Sequence, residues 1–320
     1  KYVPQSLMDS WAQKDPLLNF QNYLLEQKII TEQDISIWSL EIKEEIQEAL
    51  ALLKQEALAQ STAEKELDAV YIPHSYKESP AGDSSKELRL IDAISDGLDQ
   101  AMQKHPDLVL MGQDIADYGG VFKITDGLKE KYGKERVRNT PLCESAIIGC
   151  ALGLSLAGIK SMVEMQFGDF VSVGFNQIVN NVAKLQYRWG GKADIVIRMP
   201  TGAGTGAGPF HSQSNEAWFF HTPGLKIVYP SNAYQAKGLL LAAFEDPNPV
   251  MYFEHKALYR SERREVPDGY YTIPIGKAEI SRAGNLATIV TYGLGVHWAR
   301  EIVKQHNWDI EIIDLVSLIP

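Results

Sequence analysis

The sequence predicts an α/β fold built on a parallel sheet, preceded by a helical segment and followed by a partial α/β C-terminal domain. From about residue 87 onward, short apolar runs alternate with longer segments of helical periodicity. This alternation is typical of parallel sheets covered by helices on both faces. A chain of 320 residues, 45% of them hydrophobic and 22% charged, is long enough for about two or three such domains.

Residues 1–71 are predicted to form the helical segment. Apolar residues spaced by three and four positions between Ile35 and Leu50 indicate one long helix, and the run from Thr31 to Asp34 is typical of a helix start. The Ala-rich, Glu/Lys-rich continuation favours a solvated or coiled helix. Residues 72–86 combine Pro, Gly and Ser without a period, which predicts a linker.

Residues 87–272 are predicted to form the sheet domain, in which apolar periodicity separates helices from strands. The predicted elements are helices at 88–103, 145–156, 173–187 and 233–244 and strands at 108–111, 162–167, 194–198, 226–229 and 250–253. Residues 273–320 add strands near 278 and at 287–291 and 310–316 and a helix at 296–305, which together predict only the first half of a further domain. Because the chain does not begin with Met and stops just after a strand-like run, we expect a fragment of a longer protein.

Charge and composition exclude several classes of protein. The net charge of -10 argues against nucleic acid as a partner. No apolar run approaches the roughly 20 residues of a membrane span, and no signal pattern opens the chain. Cys143 and Cys150 lie seven positions apart on one predicted helix, about 10 Å from each other, so a disulfide between them is not expected. The sequence therefore predicts a protein of the reducing cytoplasm.

Glu144 is the first candidate for chemistry. It places one carboxylate at the head of an otherwise apolar helix that is rich in small residues. Burial of an unpaired carboxylate is costly, so this residue turns to solvent, caps the helix, or is held ready for proton transfer. The simpler interpretation is a first-turn glutamate favoured by the helix dipole, with Thr140 as the cap and Pro141 near the first helical position.

A series of segments in a particular order accompanies Glu144. They are the runs at 163–170 (VEMQFGDF), 175–181 (FNQIVNN), 211–214 (HSQS, after a Gly-rich loop), 223–230 (PGLKIVYP) and 235–240 (QAKGLL). Together with the run around Glu144, they resemble the beta subunit of the thiamine-diphosphate-dependent 2-oxo acid dehydrogenases, from about Glu87 to Pro320. Each motif alone is weakly specific, but the whole set in this order is strongly so.

This resemblance implies that the sheet domain is the pyrimidine-binding domain of the transketolase-like fold. Glu144 would then be the catalytic glutamate that bonds the aminopyrimidine ring of thiamine diphosphate, and Gln166, Phe167 and Phe170 would also bind the cofactor. The branched-chain enzymes carry tyrosine where Phe170 stands, so a hydroxyl contact is lost. The alternative for both phenylalanines is a place in the core.

His211 follows the Gly-rich stretch 201–208, which is too flexible to hold a buried core histidine. In isolation, a loop histidine is more often a surface residue. The resemblance implies that His211 is catalytic and helps to transfer the acyl group to lipoamide, as the proton donor to the departing sulfur. The Gly-rich stretch does not predict a nucleotide site, because no Lys-Ser/Thr pair follows it.

A structural potassium ion is a further implication of the resemblance. Its ligands would be mainly main-chain oxygens at Ala193, Ile195, Val196, Ala243, Asp246 and Asn248. The alternative for the last of these positions is an ordinary Asp-Pro-Asn turn. The family's diphosphate and magnesium motif, Gly-Asp-Gly followed at a distance by Asn, is not found in the sequence, so the alpha-like part is expected to hold Mg²⁺ and the diphosphate.

We therefore predict oxidative decarboxylation of a branched-chain 2-oxo acid, 3-methyl-2-oxobutanoate, with transfer of the acyl group to a lipoyl domain. Pyruvate is the alternative substrate, and a non-catalytic assembly subunit is the alternative of another class. The expected partners are an alpha-like subunit or domain, a second copy in a two-fold assembly, and the lipoyl domain of the dihydrolipoyl acyltransferase. The helical segment loosely resembles the C-terminal end of an alpha subunit, at Asp15-Pro16, Tyr23–Leu25 and Val70-Tyr71. This resemblance predicts a single-chain alpha-beta fusion.

Overall fold

The computed structural model describes residues 2–76 and 82–320. It divides into two compact units, one ending at Thr62 and the other running from Ala63 to Pro320. Residues 77–81, in the middle of the predicted linker, lie outside the described residues. The predicted domain boundaries at residues 71, 86 and 272 stay predictions.

The first unit contains three helices: α1 (Gln5–Ala12), α2 (Pro16–Glu26) and α3 (Glu32–Leu53). Asp15 caps α2 by accepting hydrogen bonds from two main-chain amides. Thr31 and Asp34 form a reciprocal capping box at the start of α3, which confirms the predicted helix start. None of the three helices contains a buried residue.

A seven-stranded sheet dominates the second unit. The strands of the unit are β1 (Ser85–Arg89), β2 (Val109–Gly112), β3 (Val137–Asn139), β4 (Ser161–Glu164), β5 (Ile195–Thr201), β6 (Lys226–Val228), β7 (Val250–His255), β8 (Arg263–Pro267), β9 (Glu279–Arg282), β10 (Ala287–Thr291), β11 (Ile310–Asp314) and β12 (Ser317–Ile319). The order in the large sheet is β12-β6-β7-β5-β4-β2-β3. All neighbours in it are parallel except β12 and β6, which confirms the predicted parallel sheet. Strands β1 and β8 form an antiparallel pair, and β10, β11 and β9 form a small separate sheet.

Helices cover both faces of the large sheet. The helices of the second unit are α4 (Ala63–Asp68), α5 (Leu90–Lys104), α6 (Leu128–Tyr132), α7 (Glu144–Leu156), α8 (Leu185–Trp189), α9 (Ala217–Phe220), α10 (Ala233–Glu245), α11 (Leu258–Ser261) and α12 (Leu294–His306). Leu110 and its neighbour Met111 illustrate the pattern, because successive strand residues point to opposite faces. Leu110 packs in the core that contains α5 and α10, and Met111 packs in the core that contains α7.

The predicted helix at 173–187 is helical only in part and is not one regular α-helix. The structure has instead a 3₁₀ turn (Gly168–Gly174), a π-helical turn (Gln177–Val182) and the short α8. Gly174 lies so close to α7 that an added Cβ would overlap the side chain of Ile148. The chain therefore bends around α7 in place of a regular helix.

The short strands β1, β3 and β8 were not predicted, because they carry no apolar run of their own.

No helix in residues 2–76 or 82–320 combines the length and apolar character needed to cross a membrane. Cys143 and Cys150 are both free and exposed, as expected from their spacing.

Gly224 gives a test of the packing that precedes β6. Its φ is +95°, and an added Cβ would overlap the carbonyl oxygen of Ala183. Gly158 has a similar φ of +80° but open space around it. Alanine at either position should cost about 1–2 kcal/mol of backbone strain. Gly224→Ala should cost about 1–3 kcal/mol more, because the overlap adds to that strain. Denaturant unfolding of both variants measures the difference, and equal losses of stability would contradict the described packing.

Candidate active site

Glu144 is buried at the carboxyl edge of the parallel sheet. It is the first residue of α7, which follows β3, and its exposed fraction is 4%. Gln113, directly after β2, donates a hydrogen bond from Nε2 to Glu144 Oε1 over 2.9 Å. The helix is preceded by Cys143, and the Thr140 side chain caps nothing, so the simpler interpretation with Thr140 as the cap is wrong. Glu144 is thus a buried carboxylate with one neutral hydrogen-bond donor among the described side chains.

Phe167, Phe170 and His211 form one aromatic cluster at the same edge. The ring centroid of Phe167 lies 5.8 Å from that of Phe170 and 4.5 Å from that of His211, and the Phe170 and His211 centroids are 5.5 Å apart. Gln166 lies nearby and donates to Asp114 Oδ2 over 3.3 Å. The residues predicted from segments after β4 and after β5 therefore meet in space.

Glu144 is joined to this cluster through the backbone. The 3₁₀ turn that contains Phe170 packs on the first turn of α7, and a Cβ on Gly174 would lie 3.4 Å from the carbonyl oxygen of Glu144. Because β4 is the neighbour of β2 in the sheet, the residues that follow these two strands lie side by side at the same edge. Ligands in open parallel sheets bind at this carboxyl edge.

Asp169 holds the His211 loop in place. Its Oδ1 accepts hydrogen bonds from the main-chain amides of Ser212 and Gln213, each over 3.1 Å. Asn215 Nδ2 donates to the carbonyl oxygen of Gly168 over 2.7 Å. The loop that carries His211 is thus tied to the turn that carries Phe170, although Gly204, Gly206 and Gly208 before it are exposed. No sequence pattern marks Asp169 as the residue that anchors this loop.

Four buried polar atoms around this cluster have no hydrogen-bond partner in the described part of the chain. They are Asp169 Oδ2, His211 Nδ1, Asn215 Oδ1 and Lys256 Nζ. Most buried polar atoms in folded proteins are paired, so such a group of unpaired atoms indicates a place for a polar ligand or for water.

His255 and Lys256 reach the site from the end of β7. Burial, with the nearby charge of Lys256, lowers the pKa of His255 to about 4, so this imidazole is neutral at pH 7. Lys256 Nζ lies 5.6 Å from the ring centroid of Phe167. Burial lowers the pKa of Lys256 to about 8, and the charge of Asp169 opposes this shift. Neither residue was predicted from the sequence, since no motif marks them.

A buried ion cluster lies beside the site. The Arg198 guanidinium bonds both Glu164 and Glu254, and Tyr259 donates to Glu254. Burial alone would lower the pKa of Arg198, but the two carboxylates raise it above its usual value. Phe122 connects this cluster to the site, because its ring contacts both Tyr259 and Phe167.

The residues predicted to surround potassium lie apart from this edge. The structure buries all six of them at the amino end of β5 and around the turn between α10 and β7. The carboxylate of Asp246 bonds Lys226, Tyr76 and Asn248, and the Asn248 side chain also bonds the main chain of Ile72. Burial alone would raise the pKa of Asp246, but the bonds from Lys226 and Tyr76 hold it below its usual value. These side chains are therefore engaged, and a cation here would depend on main-chain oxygens.

Within residues 2–76 and 82–320, His, Cys, Asp and Glu side chains form no group of three or more that could hold a metal ion.

The chain is similar in sequence to one protein family and to several of its named members. Residues 86–262 match the family model of the transketolase pyrimidine-binding domain. The 2-oxoisovalerate dehydrogenase beta subunit of Dictyostelium discoideum, a mitochondrial protein, is 45% identical over 247 residues, which cover 75% of this chain and 66% of that protein. The beta subunit of the same name from Bacillus subtilis is 44% identical over 240 residues, or 73% of each chain. The pyruvate dehydrogenase beta subunit of Acholeplasma laidlawii is 42% identical over 238 residues, with the same coverage.

Among solved structures, an inactive beta4 tetramer of a split-gene transketolase superposes with a TM-score of 0.58. Its sequence identity is 22%, and the match covers 72% of this chain and 71% of that one. At this identity the likeness concerns the fold alone. It agrees with the parallel sheet and its covering helices.

Proposed function

The chain belongs to the beta subunits of the thiamine-diphosphate-dependent 2-oxo acid dehydrogenases, and from this premise we propose that it carries the pyrimidine-binding half of an active site for oxidative decarboxylation of 3-methyl-2-oxobutanoate. The observation that carries the proposal is the buried Glu144 carboxylate at the sheet edge where Phe167, Phe170 and His211 converge. A subunit that served only in assembly would need no buried carboxylate there.

The residues at this edge fit the pyrimidine end of thiamine diphosphate. A buried carboxylate suits a ring nitrogen, aromatic side chains suit a flat heterocycle, and buried polar atoms without partners suit its amino group or bound water. Glu144 would bond the ring, Phe167 and Phe170 would pack against it, and Gln166 would contact it from the strand end. These roles are proposals for each residue.

Bound thiamine diphosphate supplies the carbon nucleophile for the 2-oxo carbon and the electron sink for the loss of carbon dioxide. Glu144 would hold a proton at the aminopyrimidine ring and return it, with Gln113 fixing the direction of the carboxyl group through the 2.9 Å hydrogen bond. Phe167 and Phe170 would exclude water from the reacting atoms. The chain's own contribution is therefore one acid/base group in a fixed, apolar setting.

His211 would act in the second half of the reaction. The acyl group is oxidised as it moves to one sulfur of the lipoyl disulfide, and the other sulfur leaves as a thiolate that needs a proton. His211 is half-buried, its ring contacts both Phe167 and Phe170, and its Nδ1 has no partner among the described residues, so it would be placed to supply that proton.

Replacement of His211 by Gln should separate the two half-reactions. Transfer of the acyl group to a lipoyl domain should fall by about 10²-fold or more, because the proton donor is lost. Carbon dioxide release with an artificial oxidant should fall much less. His221→Gln, at an exposed histidine nearby in sequence, is the matched control. An equal loss in both assays would contradict this role.

The remaining partners are proposals from the same premise. We expect an alpha-like subunit or domain to hold the diphosphate and Mg²⁺, a second copy to complete a two-fold assembly, and the lipoyl domain of the acyltransferase to accept the acyl group. Potassium would bind only through main-chain oxygens, because the side chains of Asp246 and Asn248 are engaged. The reducing cytoplasm stays a prediction, since the Dictyostelium relative is named mitochondrial.

Substrate preference separates the two candidate activities. The protein with its alpha-like partner should show a higher kcat/KM for 3-methyl-2-oxobutanoate than for pyruvate, in agreement with the names of the Dictyostelium and Bacillus relatives. A preference for pyruvate would favour the second candidate, which the Acholeplasma relative supports.

A further inference from the structure

Lys256 is a buried ammonium that bonds no counter-ion among the described residues. Its exposed fraction is 5%, and Nζ forms no hydrogen bond to any described residue. Its main chain is fixed, because the amide donates to the carbonyl oxygen of Thr201 over 3.0 Å. Burial of an unpaired charge costs several kcal/mol, so such a group is retained where an anion or another polar group pairs with it.

The surrounding residues do not supply this partner. Asp169 is the carboxylate that influences Lys256 electrostatically, but one of its oxygens serves two main-chain amides and the other is itself unpaired. His255, the preceding residue, is neutral at pH 7 because burial lowers its pKa to about 4. Lys256 is thus a buried cation at the edge of the site whose Nζ has no hydrogen-bond acceptor among the described residues.

The sheet fixes where this charge lies relative to the other groups. Across the sheet, the strands run β7, β5, β4, β2. Their carboxyl ends present Lys256, the His211 loop, Phe167 and Gln113 in the same order, and Gln113 bonds Glu144. At about 4.8 Å per strand, Lys256 stands roughly 14 Å from the β2 end. A cofactor ring held by Glu144 and a group bound to Lys256 would therefore lie at the same edge of the sheet.

We propose that Lys256 binds the carboxylate of the 2-oxo acid substrate. This inference rests on the proposed function and deepens it. A 2-oxo acid carries its carboxylate next to the reacting carbonyl carbon, and Lys256 lies beside Phe167 at the same sheet edge, on the strand farther from β2. Phe167 removes water from around the ammonium, which strengthens its attraction for the anion.

The chemistry predicts which kinetic constant changes. The carboxylate is charged in the bound substrate and leaves as neutral carbon dioxide, so its contact with Lys256 weakens during the reaction. Loss of the lysine should therefore weaken substrate binding more than it slows the chemical step. We expect a raised KM with kcat largely retained.

The test uses the protein paired with its alpha-like part. It compares Lys256→Met and Lys256→Arg with the control Lys277→Met, because Lys277 is exposed. Lys256→Met should raise the KM for 3-methyl-2-oxobutanoate by about 10- to 100-fold, and Lys256→Arg should raise it less. Inhibition by 3-methylbutanoate should weaken by a similar factor, whereas inhibition by the neutral 3-methylbutanamide should not change. Lys277→Met should leave all three constants unchanged.

Two outcomes would overturn the proposal. The first is an unchanged KM in Lys256→Met, whether or not its Tm falls, since a purely structural lysine gives that result. The second is equal weakening of the acid and the amide. If Lys256→Met does not fold, Lys256→Gln takes its place in the same comparison. Absence of decarboxylation in the parent protein would instead refute the proposed function, so the two failures are distinguishable.

Discussion

Replacement of Glu144 by Gln should lower the rate of thiamine-dependent decarboxylation by about 10²- to 10⁴-fold, the usual contribution of a positioned acid/base group. Glutamine has the same shape, and its side-chain oxygen can still accept the hydrogen bond from Gln113 Nε2. It cannot hold and return a proton. The change also removes a buried charge, so the fold should be retained.

The measurement is the rate of carbon dioxide release at saturating substrate and cofactor. Glu130→Gln, at an exposed position, is the matched control and should keep full activity. Thermal unfolding of both variants checks that the proteins are folded. A Glu144→Gln variant that assembles normally and retains most of its activity would contradict the proposed role and favour an assembly subunit.

Arg198→Met should destabilise the protein by ~3–5 kcal/mol, because it leaves Glu164 and Glu254 buried without their cation. Arg198 and both glutamates are almost completely buried, and each glutamate bonds the guanidinium directly. Burial already raises the pKa of Glu164, although Arg198 opposes this effect. Without the arginine, the two carboxylates must take up protons or admit water.

Denaturant unfolding measures this loss of stability. Arg138→Met removes an exposed ion pair with Glu135 and should cost less than about 1 kcal/mol. Adding Glu164→Gln and Glu254→Gln to the Arg198→Met protein should restore part of the lost stability, since the uncompensated charges are then absent. If the triple variant is less stable than Arg198→Met alone, the explanation from unpaired charge is wrong.

The architecture of the second unit could be predicted from the sequence because its signals are local. Strand β5 and helix α10, for example, are largely apolar, buried runs, and their different lengths separate a strand from a helix. The region 173–187 could not be predicted, because Gly174 bends around Ile148, a residue on another helix. The strands β1 and β8 depend on pairing with each other over a long sequence separation, and each brings only one apolar side chain, Leu88 and Val266, to the core.

The candidate site was predicted in part for the same reason. Glu144 and His211 stand out within distinctive runs, and the structure brings Phe167 and Phe170 into contact with His211. Gln113 and Lys256 are single polar residues at strand ends. Their importance arises from the sheet order, which places them beside Glu144 and Phe167, and no local pattern contains that information.

Release of labelled carbon dioxide from carboxyl-labelled 3-methyl-2-oxobutanoate, by the protein with its alpha-like partner, is the measurement on which the proposed function depends. We predict release that requires thiamine diphosphate and exceeds that from labelled pyruvate under the same conditions. No release from either acid, by protein that is folded and has bound the cofactor, would contradict the proposal that this chain forms half of a 2-oxo acid dehydrogenase active site.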